Sequence, residues 1–464
     1  MKKVFVFCIG GTGIRVMKSI VMLMAGGMDT NDYMVVPVII DPHLDLEEKK
    51  NLHTLIESYK NVYNRSVSNG ADRLNSLNGF FKTEIKTIAE LNNQQNDTKA
   101  PDGSQLAFGS YINVNGLDND DINNFFVETL FSQKNLESPL SVGFKGNPNM
   151  GTVVLGEMIE GADWYQGFKT HCEAGDRVFI ISSIFGGTGA SGYPLVEKKI
   201  KELNDMPAVR EALMGAVTVL PYYGLKDPKA SGSDIDSANF YTKTKAALAY
   251  YEGTVKSDYL YYVGETHLKQ VYENDEKKQD DKANFIELVA ASAFFDFLKR
   301  GKPDNRQFLT RAIAEDKDSL DLASLGDGYK DLVKNVADMM LLRDLVLILP
   351  NEKSFPLIKN RGLNKKFYND AQFNSLTAFM ESYDKWYTEL SQNNRAFAPL
   401  FCSRSNMSSW IKTMELDAKD DSYYLLEMIK ASNGTKDKDH SNKFRFFLQF
   451  AYEAINKYTK KIYE

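Results

Sequence analysis

The sequence predicts an α/β fold: a parallel sheet with helices on both faces, a long helix after it, and a mainly helical C-terminal region. Two observations lead to this prediction. Over residues 1–235, short apolar runs rich in β-branched residues alternate with helix-period segments, and several runs end at a glycine-rich turn that opens a helix. Beyond residue 253, helix-period segments dominate. The first pattern is typical of βαβ units, and the second predicts a helical region.

The strands are predicted from continuous apolar runs. The candidate strands are residues 3–9, 35–40, 152–155, 177–184 and 215–220. The first run ends at a glycine turn, and a helical pattern follows over 14–24. Strands without polar alternation are typical of a parallel sheet that is buried on both faces. We therefore expect residues 1–235 to form one sheet domain.

The remaining segments follow in chain order. Between about 43 and 140 the pattern weakens, and the polar stretch 92–104 indicates a loop, so this part is predicted to be an insertion. A long helical pattern covers 234–252, and a short strand-like run lies at 259–263. The clearest later helices are predicted at residues 284–300, 329–347, 373–392 and 444–463.

Composition excludes several classes of protein. The formal net charge is −6, so the chain lacks the basic excess of a protein that coats nucleic acid, and no direct nucleic-acid partner is expected. Three distant cysteines argue against a disulfide framework or a CxxC metal site. The N-terminal apolar run is too short for a signal peptide, and the longest apolar stretches, such as 345–350, are too short for a membrane span. We expect a cytoplasmic protein.

Three glycine-rich segments lie between predicted elements. The first, at 10–13, follows a strand directly; the second, at 186–192, follows another strand and opens a helix near Pro194. The third lies at 143–151. Phosphate binding needs backbone N–H groups at a helix N-terminus and little side-chain bulk nearby. Together the segments predict a nucleotide site, and the absence of GxxxxGK[ST] argues against a P-loop NTPase.

These segments resemble the tubulin/FtsZ superfamily. GGTGASGYP at 186–194 is similar to the family's phosphate-binding signature, which reads GGTGTGAAP in FtsZ. The spacing Gly-x-x-x-Asn-Pro-x-x-Gly at 143–151 resembles the family's γ-phosphate-sensing loop. The resemblance covers about residues 1–250. It implies a Rossmann-like, tubulin/FtsZ-type nucleotide domain at 1–235, a central helix at 236–252 and a mainly helical C-terminal domain at 253–464.

The resemblance also implies ligands and residue roles. It implies GTP or GDP with Mg²⁺, and Asp41 would order a water bound to Mg²⁺. Asn239 would read the guanine edge, because an amide both donates and accepts, while Tyr241 or Phe240 would pack near the base. The residues implied to bind the nucleotide are Gly10, Gly11, Thr12, Gly13, Arg15, Asp41, Gly143, Gly146, Asn147, Gly186, Gly187, Thr188, Gly189, Ala190, Ser191, Pro221, Asn239 and Tyr241.

Hydrolysis of GTP to GDP is expected from the same resemblance. In the family, acidic residues after the central helix complete the site of the next subunit, which couples hydrolysis to self-assembly into dimers or filaments. The family's Asn-x-Asp-x-x-Asp pattern does not occur after residue 252. Asp275 and Asp280, in a charged segment, and Glu287, on an apolar helix, are the candidate carboxylates. The helical C-terminal region is expected to bind a protein partner of unknown identity.

Two other hypotheses stay open. A tubulin-like scaffold or switch could bind nucleotide without hydrolysing it, and the missing acidic pattern motivates this alternative. A Rossmann-type NAD(P)-dependent oxidoreductase is suggested by Gly11-x-Gly13 after the first strand and Asp41 after the second. However, Val16 stands where that fingerprint has its third glycine. The oxidoreductase hypothesis also leaves the other two glycine-rich segments unexplained.

Overall fold

A parallel β-sheet forms the centre of the protein. The computed structural model describes residues 1–43, 46–66, 79–94, 105–117, 122–144, 146–225, 240–265, 270–272, 282–313, 330–347, 363, 365–393, 396–397 and 442–463. The strands in these ranges are β1 (Lys3–Ile9), β2 (Met34–Ile40), β3 (Arg177–Ser183), β4 (Leu213–Val219), β5 (Tyr223–Leu225), β6 (Tyr259–Glu265), β7 (Gln270–Tyr272) and β8 (Gln307–Ile313).

Six of these strands form one sheet, in the order β2-β1-β3-β4-β6-β8, and every neighbouring pair is parallel. β1 lies between β2 and β3, where Cys8 is in register with Ile39 on one side and with Ile181 on the other. All seven residues of β1 are buried. This burial explains the uninterrupted apolar sequence of the strand, because helices cover both faces of such a sheet. β5 and β7 form a separate parallel pair.

The helices connect and cover the strands. Those in the described ranges are α1 (Gly10–Ala25), α2 (Glu47–Ser66), α3 (Ile88–Leu91), α4 (Phe108–Tyr111), α5 (Ile122–Leu130), α6 (Gln133–Leu136), α7 (Pro148–Gly161), α8 (Asp163–His171), α9 (Gly187–Lys201), α10 (Pro207–Arg210), α11 (Phe240–Thr254), α12 (Phe285–Lys299), α13 (Lys330–Leu347), α14 (Lys365–Tyr368), α15 (Ala371–Gln392) and α16 (Lys443–Tyr463). Two 3₁₀ turns lie at Val114–Gly116 and Leu140–Val142.

Two groups of helices pack around the sheet. α1 packs against β1 and β3 and also contacts α2 and α12, while α15 packs against both α2 and α13. α9 packs against β3 and also contacts α7 and α11. α1 and α9 follow β1 and β3 directly, so the N-termini of these two helices lie next to each other at one edge of the sheet.

The predicted α/β class with a parallel sheet is confirmed, and so are most of the predicted elements. One predicted strand is wrong, because residues 152–155 lie inside α7. A four-residue apolar run does not by itself distinguish a strand from a helix. The buried positions decide: Met150, Gly151, Val154 and Leu155 are buried, which is helical spacing. Asn147 caps this helix and Pro148 opens it, both of which favour a helix start.

The sheet extends into the region predicted to be a helical domain. β6 and β8 both lie after residue 253, and they continue the sheet of the first domain. The described part of the predicted central helix, α11, packs on α9, whereas α12 is almost completely buried and packs against α1, β4 and β6. α2 lies within the predicted insertion and is in contact with α1. Among the described helices, none is both long and apolar enough to cross a membrane.

Candidate functional site

The first glycine segment opens α1 immediately after β1. Gly10 has a φ of +73°, a backbone conformation that residues with a side chain rarely adopt. A methyl group on Gly13 would lie 2.8 Å from the carbonyl carbon of Cys8 and 2.9 Å from Ile181 O. Gly13 therefore allows the first turn of α1 to lie directly on the sheet. No side chain within the described residues caps this helix, and the first four N–H groups of an α-helix have no partner inside the helix.

The second glycine segment opens α9 immediately after β3. Gly186 occupies the N-cap position of α9 and supplies no capping side chain. A methyl group on Gly189 would lie 2.6 Å from Ser183 O, so this position also requires glycine for close packing. A methyl group on Gly10 would lie 3.4 Å from Thr188 Cβ, which shows that the first and second segments are neighbours.

The third glycine segment lies against the second. A methyl group on Gly187 would lie 3.0 Å from Asn147 N and 3.2 Å from Gly146 N, so the backbone of these two residues lies against Gly187. The N–H of Asn147 itself donates to Phe144 O at 2.8 Å. Both Gly143 and Gly146 have positive φ, at +79° and +72°. Phe144 is 2% exposed, and its Cβ would lie 2.9 Å from the same methyl group. Three segments that are far apart in the sequence thus converge at the N-terminus of α9.

The point of convergence is a topological switch point of the sheet. β1 and β3 are adjacent, and the chain leaves β1 toward β2 but leaves β3 in the opposite direction, toward β4. The helices that follow such a pair of strands diverge, which opens a crevice at the carboxyl ends of the strands. Ligands of open α/β sheets bind in this crevice, and two helix N-termini that are not capped by side chains favour an anion there.

The polar side chains of the glycine segments have unequal roles. Ser191 Oγ donates to Gly187 O at 2.7 Å, and Ser191 is buried, so its hydroxyl stabilises the first turn of α9. Thr188 is half-buried next to Gly10. Gly186, Gly189 and Ala190 shape the turn through the absence of bulk. The predicted contacts of these residues with a nucleotide remain predictions.

Arg15 lies in a buried ion cluster, and together with Glu48 and Glu287 it lines a small pocket. Its Nε donates to Glu287 Oε1 at 2.8 Å, its Nη1 donates to Glu48 Oε1 at 2.7 Å, and its Nη2 donates to Tyr222 Oη at 2.9 Å. Arg15 is 6% exposed and Glu287 is 1% exposed. Asn284 N also donates to Glu287, at 3.1 Å. The cluster joins α1 to α2, α12 and the segment after β4, which holds the first glycine segment in place.

Glu287 is therefore not placed for the role suggested by the sequence. A carboxylate that is 1% exposed and bonded to Arg15 and Tyr222 of its own chain is not presented to a neighbouring subunit. Its burial is explained by these charge-assisted hydrogen bonds. Asp275 and Asp280, the other candidate carboxylates, lie outside the described residues, as does Asn239.

Two carboxylates lie at the end of the sheet where the glycine segments meet. Asp41 follows β2, and its Oδ1 accepts a hydrogen bond from His43 N at 2.8 Å. Burial raises the pKa of Asp41 above its usual range, and the His43 amide offsets part of the rise. Glu48 Oε2 would lie 3.2 Å from a methyl group on Gly11, so this carboxylate borders the first glycine segment.

The aromatic residues after β4 lie beside the second glycine segment. Phe240, at the start of α11, packs against Phe185 with ring centroids 4.9 Å apart, and Phe185 also contacts Tyr222 and Tyr223. Tyr241 is 48% exposed. Pro221 directly precedes this cluster. The base-binding roles of Pro221 and Tyr241 remain predictions.

Sequence reasoning missed two polar residues at this site. Glu48 lies seven positions after Asp41 in the first turn of α2, and Lys243 lies in α11 with its Nζ 2.6 Å from Gly146 O. Neither belongs to a motif, and each reaches the glycine segments only through the packing of its helix. Each has another residue of the same charge close by in its helix, Glu47 beside Glu48 and Lys245 two positions after Lys243, so the sequence does not single either of them out.

The sequence was compared with protein-family models and with curated proteins. No protein-family model matches the chain, and no curated protein matches it. The functional conclusion therefore depends on the residues of the site and on their geometry.

Proposed function

We propose that this protein binds a guanine nucleotide, GTP or GDP, with Mg²⁺ in the crevice between β1 and β3. The observation that carries the proposal is the convergence of the three glycine segments at the N-terminus of α9. Gly10 lies against Thr188 and Gly189, and Gly187 lies against the backbone of Gly146, although the three segments come from distant parts of the chain. Glycines at such a junction let a ligand approach the backbone closely.

The N-termini of α1 and α9 would bind the phosphates. Each helix begins directly after a buried strand, and no described side chain caps either of them. Backbone N–H groups and the helix dipoles stabilise negative charge at such positions. The amide of Gly146, which lies close to Gly187, would supply a donor from a third direction, whereas the N–H of Asn147 donates to Phe144 O at 2.8 Å.

The choice of a guanine base rests on the resemblance to the tubulin/FtsZ superfamily. The aromatic cluster at Phe185, Tyr223 and Phe240 is compatible with a base beside the second glycine segment. Aromatic and apolar side chains commonly line the base pockets of nucleotide sites. NAD(H) is the competing ligand, because Asp41 at the end of β2 also suits a Rossmann-type ribose contact.

The residues at the site fit a magnesium ion. Mg²⁺ in nucleotide sites takes one or two carboxylates together with phosphate oxygens and waters. Glu48 borders Gly11, and Asp41 ends the neighbouring strand β2. Within the described residues, no group of three or more His, Cys, Asp or Glu side chains surrounds a metal position, so the phosphates would complete the site. Bound there, the ion neutralises phosphate charge.

Hydrolysis of GTP would proceed mainly through positioning and charge stabilisation. Water attacks the terminal phosphorus in line, GDP leaves, and inorganic phosphate is released. The amides at the two helix N-termini would stabilise the charge on the transferred group. The carboxylate that orients the water would belong to a residue other than Glu287, because Glu287 is bonded to Arg15 and Tyr222.

Binding is tested with a fluorescent GTP analogue and the variant Gly187→Ala, alone and together with Thr188→Ala. The new methyl group would clash with Phe144 and with the amides of Gly146 and Asn147, so we expect the affinity to fall about 100-fold or more. Gly156→Ala is the matched control, since nothing lies within 4 Å of its methyl position in α7. Equal affinity of Gly187→Ala and wild type would overturn the phosphate assignment, and displacement by NAD(H) but not by GTP would favour the oxidoreductase.

Hydrolysis and assembly are tested by GTP turnover per molecule over a wide range of protein concentration, with ATP as the control nucleotide. Turnover that rises with concentration indicates a site completed between subunits. Constant turnover indicates a self-contained GTPase. Bound GTP that is never hydrolysed at any concentration contradicts the enzymatic part of the proposal and supports the scaffold or switch.

A further inference from the structure

Lys243 is held at the mouth of the crevice by α11. Phe240, one turn earlier in this helix, packs against Phe185, which directly precedes the second glycine segment. Thr244, the next residue after Lys243, is buried, so this part of the helix is anchored. The Nζ atom of Lys243 donates to Gly146 O at 2.6 Å. The ammonium group therefore lies at the third glycine segment.

The same short stretch of backbone connects Lys243 to the amides of the site. Gly146 accepts from Lys243 through its carbonyl group, while the backbone nitrogen of Gly146 lies close to Gly187 at the start of α9. An ammonium group has three N–H donors in different directions, so it can bond a carbonyl oxygen and an anion together. The carbonyl of Gly146 thus positions a cation beside the predicted path of the phosphates.

Arg15 does not serve this purpose in the structure. Its three nitrogen atoms donate to Glu287, Glu48 and Tyr222, so the guanidinium charge is balanced by buried carboxylates. Backbone amides carry only partial charges. A polyphosphate chain is therefore expected to need a side-chain cation, and a flexible lysine is well suited to binding phosphate as a point charge.

We propose that Lys243 binds the phosphate chain of the nucleotide and makes the affinity of the site depend on the number of phosphates. The inference rests on the proposed function, since it concerns the same crevice. Neither the glycine motifs nor the spacing of the predicted loops points to this residue, because Lys243 reaches the site from a separate helix.

The test compares the affinities of GTP, GDP and GMP for the wild type, Lys243→Gln and Lys243→Arg. Gln removes the charge and Arg retains it. We expect Lys243→Gln to weaken GTP binding about 10- to 100-fold while GMP binding changes much less, because a hydrogen bond to a charged group is lost. Lys243→Arg should restore most of the GTP affinity. Lys245→Ala, an exposed lysine on the same helix, is the matched control.

Other results overturn the inference. Equal weakening of GTP, GDP and GMP would mean that Lys243 only holds the third glycine segment in place. Unchanged affinities in Lys243→Gln would mean that it does not bind the nucleotide, even though the proposed function would stand. If the wild type binds no guanine nucleotide while remaining folded, the proposed function itself fails.

Discussion

Replacing Glu287 with alanine is expected to lower the free energy of unfolding by about 3–5 kcal/mol, the usual cost of breaking a buried ion pair. The variant removes the acceptor of three hydrogen bonds, from Arg15 Nε, Tyr222 Oη and the backbone N–H of Asn284. Bonds to a charged group are worth about 1.5–3 kcal/mol each, so the first two alone account for the expected loss.

The positive charge that stays on Arg15 makes the loss of stability in Glu287→Ala large. In Glu287→Ala the guanidinium of Arg15 stays buried and keeps Glu48, but its Nε loses the carboxylate on α12. Glu287→Gln is the informative companion variant, because it keeps the size of the side chain and an acceptor oxygen. We expect Glu287→Gln to lower the free energy of unfolding by about half as much as Glu287→Ala, since the acceptor in these hydrogen bonds is then uncharged.

Urea denaturation is the assay, followed through tryptophan fluorescence. Trp386, one of three tryptophans in the chain, is 1% exposed in α15, so its part of the emission reports the loss of the packing of α15 on α2 and α13. Glu202→Ala is the control, because this side chain is 58% exposed and its removal should change stability by less than about 0.5 kcal/mol. A loss below about 1 kcal/mol in Glu287→Ala would refute the role of the cluster as the structural link between α1 and α12.

Two further predictions concern the helices that hold the glycine segments. Asn147→Ala should destabilise α7 by about 1 kcal/mol and weaken nucleotide binding, because Asn147 Oδ1 caps the N–H groups of Asn149 and Met150. Asn147→Asp should retain the cap, so equal urea midpoints for the two variants would contradict this role of Asn147. Burial raises the pKa of Glu197 above its usual 4.5, so the folded protein keeps this proton to higher pH than the unfolded chain does. Its contribution to stability should therefore fall as pH rises from about 4.5 through the raised folded-state pKa, and the urea midpoints of Glu197→Gln should lack this part of the pH dependence. Identical slopes for variant and wild type would show that folding does not shift the pKa of Glu197.

Strands and helices were predictable from the sequence where their burial requires a regular pattern of apolar residues. β1, β2, β3 and β4 are recognisable as apolar runs, since strands covered on both faces exclude polar residues. β8 was missed because Gln307–Ile313 (QFLTRAI), the last strand in the sheet order, is neither a continuous apolar run nor a polar–apolar alternation. The run at 152–155 was misassigned because one threonine and three apolar residues in a row fit either period.

The glycine segments themselves were also visible in the sequence, since a strand followed by glycines and a helix-period segment is a local signal. Their convergence was not, because it depends on the order of the strands. The adjacency of β1 and β3 brings Gly10 to Thr188, and the packing of α7 on α9 brings Gly146 to Gly187.

Tertiary packing alone decides the partners of the charged residues. The sequence suggested that Arg15 could contact a nucleotide and that Glu287 could serve a neighbouring subunit, yet the two residues, 272 positions apart, bond to each other. Lys243 reaches Gly146 across 97 positions in the same way. Ion pairs and hydrogen bonds of this kind depend on angstrom-scale distances between helices, and those distances are set by the packing of the whole core. Hydrophobic periodicity, in contrast, is a local property of each strand or helix. The order of strands and helices along the chain can therefore be predicted from the sequence, whereas the contacts within the site cannot.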